Sequence, residues 1–253
     1  MFWPWKKQQF NFEKFLKKAA KFEPFEIKKY DELFCHLKDN AQQVGFEKLG
    51  LKLLVISDTH GYFAFGENRL PNYLDTIGEF DLCVLLGDVH PAEMPLILDC
   101  IPREKIIALK GNHDSFSVYS DFGVRDIAGT DFEYKGVRFV GIDGSFKYKK
   151  EQFPSHTQYE SLREARGLPV ADVLLTHDVM LSDFERELAH AGLIGITYYI
   201  YKKSRSIIYM DIFIGLIGSS MKTEQKKKAY ICANISRFSV IMYTKSLRRE
   251  QCL

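Results

Sequence analysis

Leu51-Lys52-Leu53-Leu54-Val55-Ile56-Ser57-Asp58-Thr59-His60-Gly61 is the stretch that decides the fold of this chain. A short run rich in branched and apolar residues passes directly into a polar cluster that ends on glycine. The same construction occurs twice more. Leu82 to Leu86 leads into Gly87-Asp88, and Lys105 to Lys110 leads into Gly111-Asn112-His113-Asp114. Apolar runs of this length, bounded by turn residues, read as buried strands of a mostly parallel sheet. In sheets of that kind ligands bind beyond the carboxyl ends of the strands. Three strand ends thus deliver Asp, His, Asp, Asn and His to one rim, which is an inventory of metal ligands.

Working outward, Asp172 to Thr176 reads as another buried strand, with His177 at its end. Phe132 to Val140 reads as a β-type pair turning at Lys135-Gly136. A helix is expected from about Asp183 to Ala191, then strands near Ile207–Gly215, Tyr230–Asn234 and Ser239–Tyr243. Before the first strand, Phe12, Phe15, Leu16, Ala19 and Phe22 fall at helical spacing until Pro24 breaks the run. A second helix is expected around Asp31 to Gln43. Three parts follow: a helical extension over residues 1–50, an α/β domain over 51–245, and a basic tail over 246–253.

Composition sets the outer limits. The chain has 253 residues, 46% hydrophobic and 27% charged, which excludes a disordered protein. The net charge of +2 is unevenly spread. Residues 1–50 carry +3 and residues 221–253 carry +6, leaving −7 for the centre. An acidic centre suits cation binding. The five cysteines are odd in number, scattered and free of any CxxC pair. That pattern excludes a disulfide framework or zinc knuckle and points to a reducing cytoplasm. The N-terminus lacks the apolar core of a secretory signal, and the apolar stretch from Gly192 to Ser220 is interrupted by Lys202, Lys203, Arg205 and Asp211. A soluble protein is expected.

Chemistry can be assigned to the clusters from residue type. Asp58 and His60 lie one residue apart after a strand, where extended backbone would point both to one side. Asp88 follows a glycine and offers a carboxylate able to bridge two ions. Asn112 offers a carbonyl oxygen and His177 an imidazole. Mixed oxygen and nitrogen donors suit Mn, Fe, Zn or Ni better than Ca, and two such ions can clamp a phosphoryl group for in-line attack. His113 is expected beside the site as a proton donor to the leaving oxygen, with Asp114 orienting it.

Asp-x-His, Gly-Asp, Gly-Asn-His-Asp and a later His, in that order, resemble the calcineurin-like metallophosphoesterase superfamily. Thirty residues separate Asp58 from Asp88, and 24 separate Asp88 from Asn112. The resemblance implies a four-layer αββα sandwich. It implies that Asp58 and His60 bind a first divalent metal, that Asp88 bridges, and that Asn112 and His177 bind a second, manganese being the favoured ion. It also gives His113 the acid or phosphate-contact role. The implied substrate is a phosphomonoester or phosphodiester. Gly87-Asp88-Val89-His90-Pro91 lacks the Asp-Arg-Gly continuation of the protein Ser/Thr phosphatases, which favours the small phosphodiesterase-like branches.

One motif departs from that pattern. The superfamily closes its site with Gly-His-x-His, but the matching stretch here puts Leu216 and Gly218 where the histidines should stand. All seven histidines lie at or before position 190. Neither substitute offers a donor, so each ion loses an imidazole and a weakened centre is expected. The rival reading is a scaffold that binds a ligand or partner without turnover. Several features are expected to be structural: His90 a rim residue, His156 and His190 surface or cap residues, Cys83 and Cys100 small core hydrophobes. Trp3, Trp5, Lys6 and Lys7 suit a peripheral membrane contact through residues 1–7, although packing of the extension on the body explains them better. Lys226-Lys227-Lys228 reads as a solvated turn, with weak support for nucleic-acid binding.

Overall fold

A computed structural model describes residues 51–66, 70–148, 150, 154–181, 192–203 and 239–243. The helices expected over 9–44 and 183–191, and the strands expected near 207–215 and 230–234, lie outside the described residues. Along the described chain run β1 (Lys52–Ile56), α1 (Tyr62–Phe65), α2 (Leu70–Ile77), β2 (Leu82–Leu85), α3 (Met94–Cys100), β3 (Ile106–Ala108), α4 (Val118–Asp121) and β4 (Arg125–Asp126). There follow β5 (Asp131–Tyr134), β6 (Val137–Ile142), β7 (Ser145–Phe146), β8 (Ser155–His156), α5 (Gln158–Gly167), β9 (Val173–Thr176), α6 (Ile194–Lys202) and β10 (Ser239–Tyr243).

Among the described residues, one sheet has the order β10-β1-β2-β3-β4, with every neighbouring pair parallel. A second sheet has the order β5-β6-β9. Its β5–β6 hairpin turns at Lys135 (φ 50°) and Gly136 (φ 78°). Two consecutive left-handed residues form the tight turn whose twist suits a hairpin, and glycine takes that conformation without strain.

Alternation along the strands builds the layers. Leu53 and Val55 of β1, Leu82 and Val84 of β2, Phe139 of β6 and Val173 and Leu175 of β9 share one buried cluster, so the two sheets face each other. The opposite face of the first sheet, through Leu54, Ile56, Cys83 and Leu85, packs with Tyr62, Phe63, Leu70, Ile77, Met94 and Ile97 of α1, α2 and α3. The opposite face of the second sheet, through Val140, Ile142 and Leu174, packs with Leu162 and Ala165 of α5 and Ile194, Ile196 and Tyr199 of α6. Helix, sheet, sheet, helix is the αββα sandwich that the motifs imply. Strands covered on both faces have no solvent side, which is why their sequences read as unbroken apolar runs.

On the outer side of the second sheet, Gln158 joins α5 to α6. Its side chain accepts from Ile194 N at 2.7 Å and donates to the Gly192 carbonyl at 2.8 Å. No helix among the described residues is long and apolar enough to cross a membrane.

Phe139 lies fully buried between the sheets. Phe139→Ala is expected to lower unfolding free energy by about 3–5 kcal/mol, through lost burial and the remaining cavity, as read by urea denaturation.

Candidate metal centre

Parallel pairing of β1, β2 and β3 carries three loops to one edge, and the loops then bond to one another. Asp58 N donates to the Gly87 carbonyl at 3.0 Å, and His60 N donates to the Asp88 carbonyl at 3.0 Å. Asp58, His60 and Asp88 hold φ of 53°, 45° and 54°. Apart from Lys135 in the hairpin, they are the left-handed non-glycine residues among those described. The extended backbone expected between Asp58 and His60 is therefore corrected: both residues are kinked. Asp and His tolerate this region better than most side chains, and such conformations persist where the surroundings over-determine them.

The kinks aim the side chains at one point. His60 Nε2 lies 3.8 Å from Asp58 Oδ1 and 3.6 Å from Asp88 Oδ2. The donor atoms of Asp58, His60 and Asp88 fall within 4.8 Å of one another, so this group can hold a metal ion. Ser57 donates to Asp58 Oδ2 at 2.6 Å. Asp58 Oδ1, in contrast, is buried without a hydrogen-bond partner. Burial raises the Asp58 carboxyl above its ordinary value, against the lowering effect of His177 and the Ser57 hydroxyl. A buried oxygen without a donor is expensive, and a divalent cation among these donors satisfies it. The residues fit the group.

His177 and Asn112 stand on the other side of Asp88. His177, 1% exposed, places Nδ1 at 2.6 Å from the Leu86 carbonyl. A carbonyl only accepts, so Nδ1 carries a proton, and Nε2 is the ring nitrogen that faces the site. That nitrogen lies 3.3 Å from Asn112 Oδ1 and 3.9 Å from Asp88 Oδ1. His113 donates its backbone N–H to Asp88 Oδ1 at 2.8 Å. Its exposed ring meets that of His60 edge-on, with centroids 5.6 Å apart.

Residues 51–209, well over half the chain, match the family described as calcineurin-like phosphoesterase. The chain belongs to that family. Membership brings a general chemistry, metal-dependent hydrolysis of phosphate esters. No curated protein matches this chain. Leu216 and Gly218, the positions of the altered closing motif, lie beyond the matched residues and outside those described.

Within this calcineurin-like phosphoesterase, Asp114 does something other than the ring contact expected of it. Its Oδ2 accepts from Asp88 N at 2.9 Å, from Gly111 N at 2.8 Å and from the Tyr119 hydroxyl at 3.5 Å. Asp114 therefore ties the loop after β2 to the loop after β3. Burial, with the Asp88 charge adding to it, pushes its carboxyl up to about 6. His90 is exposed and caps a short helical turn, with Nδ1 accepting from Ala92 N at 3.1 Å. His156, expected as a surface or cap residue, directly precedes the N-cap of α5. It is partly buried, with Nε2 at 3.1 Å from Asp143 Oδ1 and Nδ1 at 3.5 Å from Glu164 Oε2.

Two charged residues of the phosphoesterase were not singled out from the sequence. Lys110 is buried at the end of β3 and pairs with Asp126 and, at 3.6 Å, with Asp143. Glu93 is buried beneath the loops after β1 and β2. A signal for Glu93 existed, since His90-Pro91-Ala92-Glu93 has a polar cap, a proline at the first position and an acid at the third. Lys110 carried none, because its acidic partners come from distant strands.

Gly87 and Gly111 set the loop spacing. A Cβ on Gly87 would lie 2.3 Å from Gly111 N, and one on Gly111 would lie 2.2 Å from Asp88 Oδ1. Gly111→Ala is expected to displace Asp88 and weaken Mn²⁺ binding by about tenfold or more, measured by calorimetric titration.

Proposed function

We propose that this phosphoesterase hydrolyses a phosphomonoester or phosphodiester at a dinuclear centre, with manganese as the favoured ion and Fe, Zn or Ni as its competitors. The observation that carries this reading is the convergence of Asp58, His60 and Asp88 around a buried carboxylate oxygen that has no hydrogen-bond partner. Asp58 and His60 would hold the first cation, and Asn112 and His177 the second. Asp88 stands between the two sets, with Oδ2 toward His60 and Oδ1 toward His177, the placement a bridging carboxylate needs. Bound cations would supply Lewis acidity and an activated water for in-line attack at phosphorus.

The chain's own groups complete the cycle. The Leu86 carbonyl holds a His177 proton on Nδ1, which leaves Nε2 as the nitrogen to serve as a ligand. His113, exposed beside the cluster, donates its ring proton to the departing ester oxygen. Its backbone bond to Asp88 Oδ1 fixes that ring relative to the carboxylate. We also place the protein in a reducing cytoplasm, a reading supported by the scattered cysteines, of which Cys83 and Cys100 are free thiols.

The test is Mn²⁺-dependent hydrolysis of bis-p-nitrophenyl phosphate by the full chain beside Asp88→Asn. Turnover that needs manganese is expected, with EDTA removing it and added Mn²⁺ restoring it. Asp88→Asn is expected to lower kcat/KM by at least about a hundredfold, the effect of roughly 3 kcal/mol of lost transition-state stabilisation. A folded parent no faster than Asp88→Asn would overturn the proposal.

A further inference from the structure

Glu93 has no part in the chemistry above, yet it is fully buried, at 0% exposure. Both of its oxygens are committed. Oε2 accepts from the Thr59 hydroxyl at 2.5 Å, from Gly61 N at 3.1 Å and from His90 N at 3.0 Å. Oε1 accepts from Phe63 N at 2.7 Å. Thr59 and Gly61 flank His60, and His90 follows Asp88 by two residues. A single carboxylate thus ties the loop after β1 to the loop after β2, the loops that carry Asp58, His60 and Asp88.

Two physical points give these bonds a purpose beyond packing. His60 sits between two of the donors with φ at 45°, a conformation that relaxes unless its neighbours are held. A buried carboxylate is tolerated only when fully hydrogen-bonded, and bonds to an ionised acceptor are about twice as strong as neutral ones. Three donors on one oxygen and a fourth on the other form a pattern that an amide cannot reproduce, because its nitrogen end would face an N–H or O–H.

We propose that Glu93 is the positioning residue of the His60 side of the centre. It holds Nε2 of His60 in register with Asp58 and Asp88, and thereby sets the cation affinity of that side. The inference rests on the metal reading given above. Glu93 acts through His60 and does not touch the reacting atoms. Asp114 is its counterpart one loop further along, where it gathers Asp88 N and Gly111 N on the Asn112 side.

The experiment is calorimetric titration of Mn²⁺ alone into full-length Glu93→Gln, with thermal unfolding recorded in parallel. Affinity is expected to fall about 10–100-fold, the range for losing a group that supports a metal ligand. Gln158→Ala is the control. It removes a buried polar side chain with two backbone bonds on the outer side of the second sheet, so it should lower Tm and leave Mn²⁺ affinity unchanged. Thr59→Val removes only the hydroxyl donor, keeps the side-chain shape, and should weaken Mn²⁺ binding by a smaller factor. It carries the test if Glu93→Gln fails to fold. Parent-like Mn²⁺ affinity in a folded Glu93→Gln or, failing that, in Thr59→Val overturns the role of Glu93 alone. A parent that binds no Mn²⁺ overturns the metal reading and this role with it.

Discussion

Backbone amides at the ends of parallel strands lose their ladder partners, and the loops beyond β1, β2 and β3 have to satisfy theirs in some other way. Here they do so by bonding to each other and to two buried carboxylates. Asp58 N and His60 N reach carbonyls of the loop after β2. Glu93 collects Gly61 N, Phe63 N and His90 N, and Asp114 collects Asp88 N and Gly111 N. Three loops become one rigid edge. Asp58, His60 and Asp88 project from that edge toward one point, and Asp58 Oδ1 is left there without a hydrogen-bond partner.

That edge also explains why the left-handed residues cluster. A loop that must return its amides to a neighbour while aiming its side chains inward cannot stay extended. Asp58, His60 and Asp88 absorb the required kinks, and glycines at 87 and 111 let the chains approach where any Cβ would collide. The local strain is offset by hydrogen bonds that depend on all three loops being present. The geometry of the candidate donors is thus a property of the folded edge, and an isolated Asp-Thr-His-Gly segment would not hold it.

Much of this was legible in the letters, for definite reasons. Burial on both faces removes polar residues from a strand, so β1, β2, β3 and β9 announce themselves as apolar runs. Lys135-Gly136 was readable as a hairpin turn because both residues take positive φ. Asp58, His60, Asp88, Asn112 and His177 stood out as candidates because each follows a short apolar run. Other features were not legible. The role of Asp114 was mistaken, since chain proximity to His113 suggested a ring contact while the folded loop delivers its oxygen to amides. The partners of His156, read as a surface or cap residue, could not be foreseen because Asp143 and Glu164 come from separate elements.

Local chemistry along the chain was enough to place the buried strands and the polar clusters that follow them, because strand burial and strand-end clusters each leave a short-range pattern. Tertiary structure alone decided which donors meet and how they are held. The 3.6 Å approach of His60 to Asp88, the proton on His177 Nδ1, and the bonds from Thr59, Gly61 and Phe63 to Glu93 all join residues about 30 or more apart. Pairings of that range have no sequence period, and only the packing of β1 against β2 against β3 brings them together.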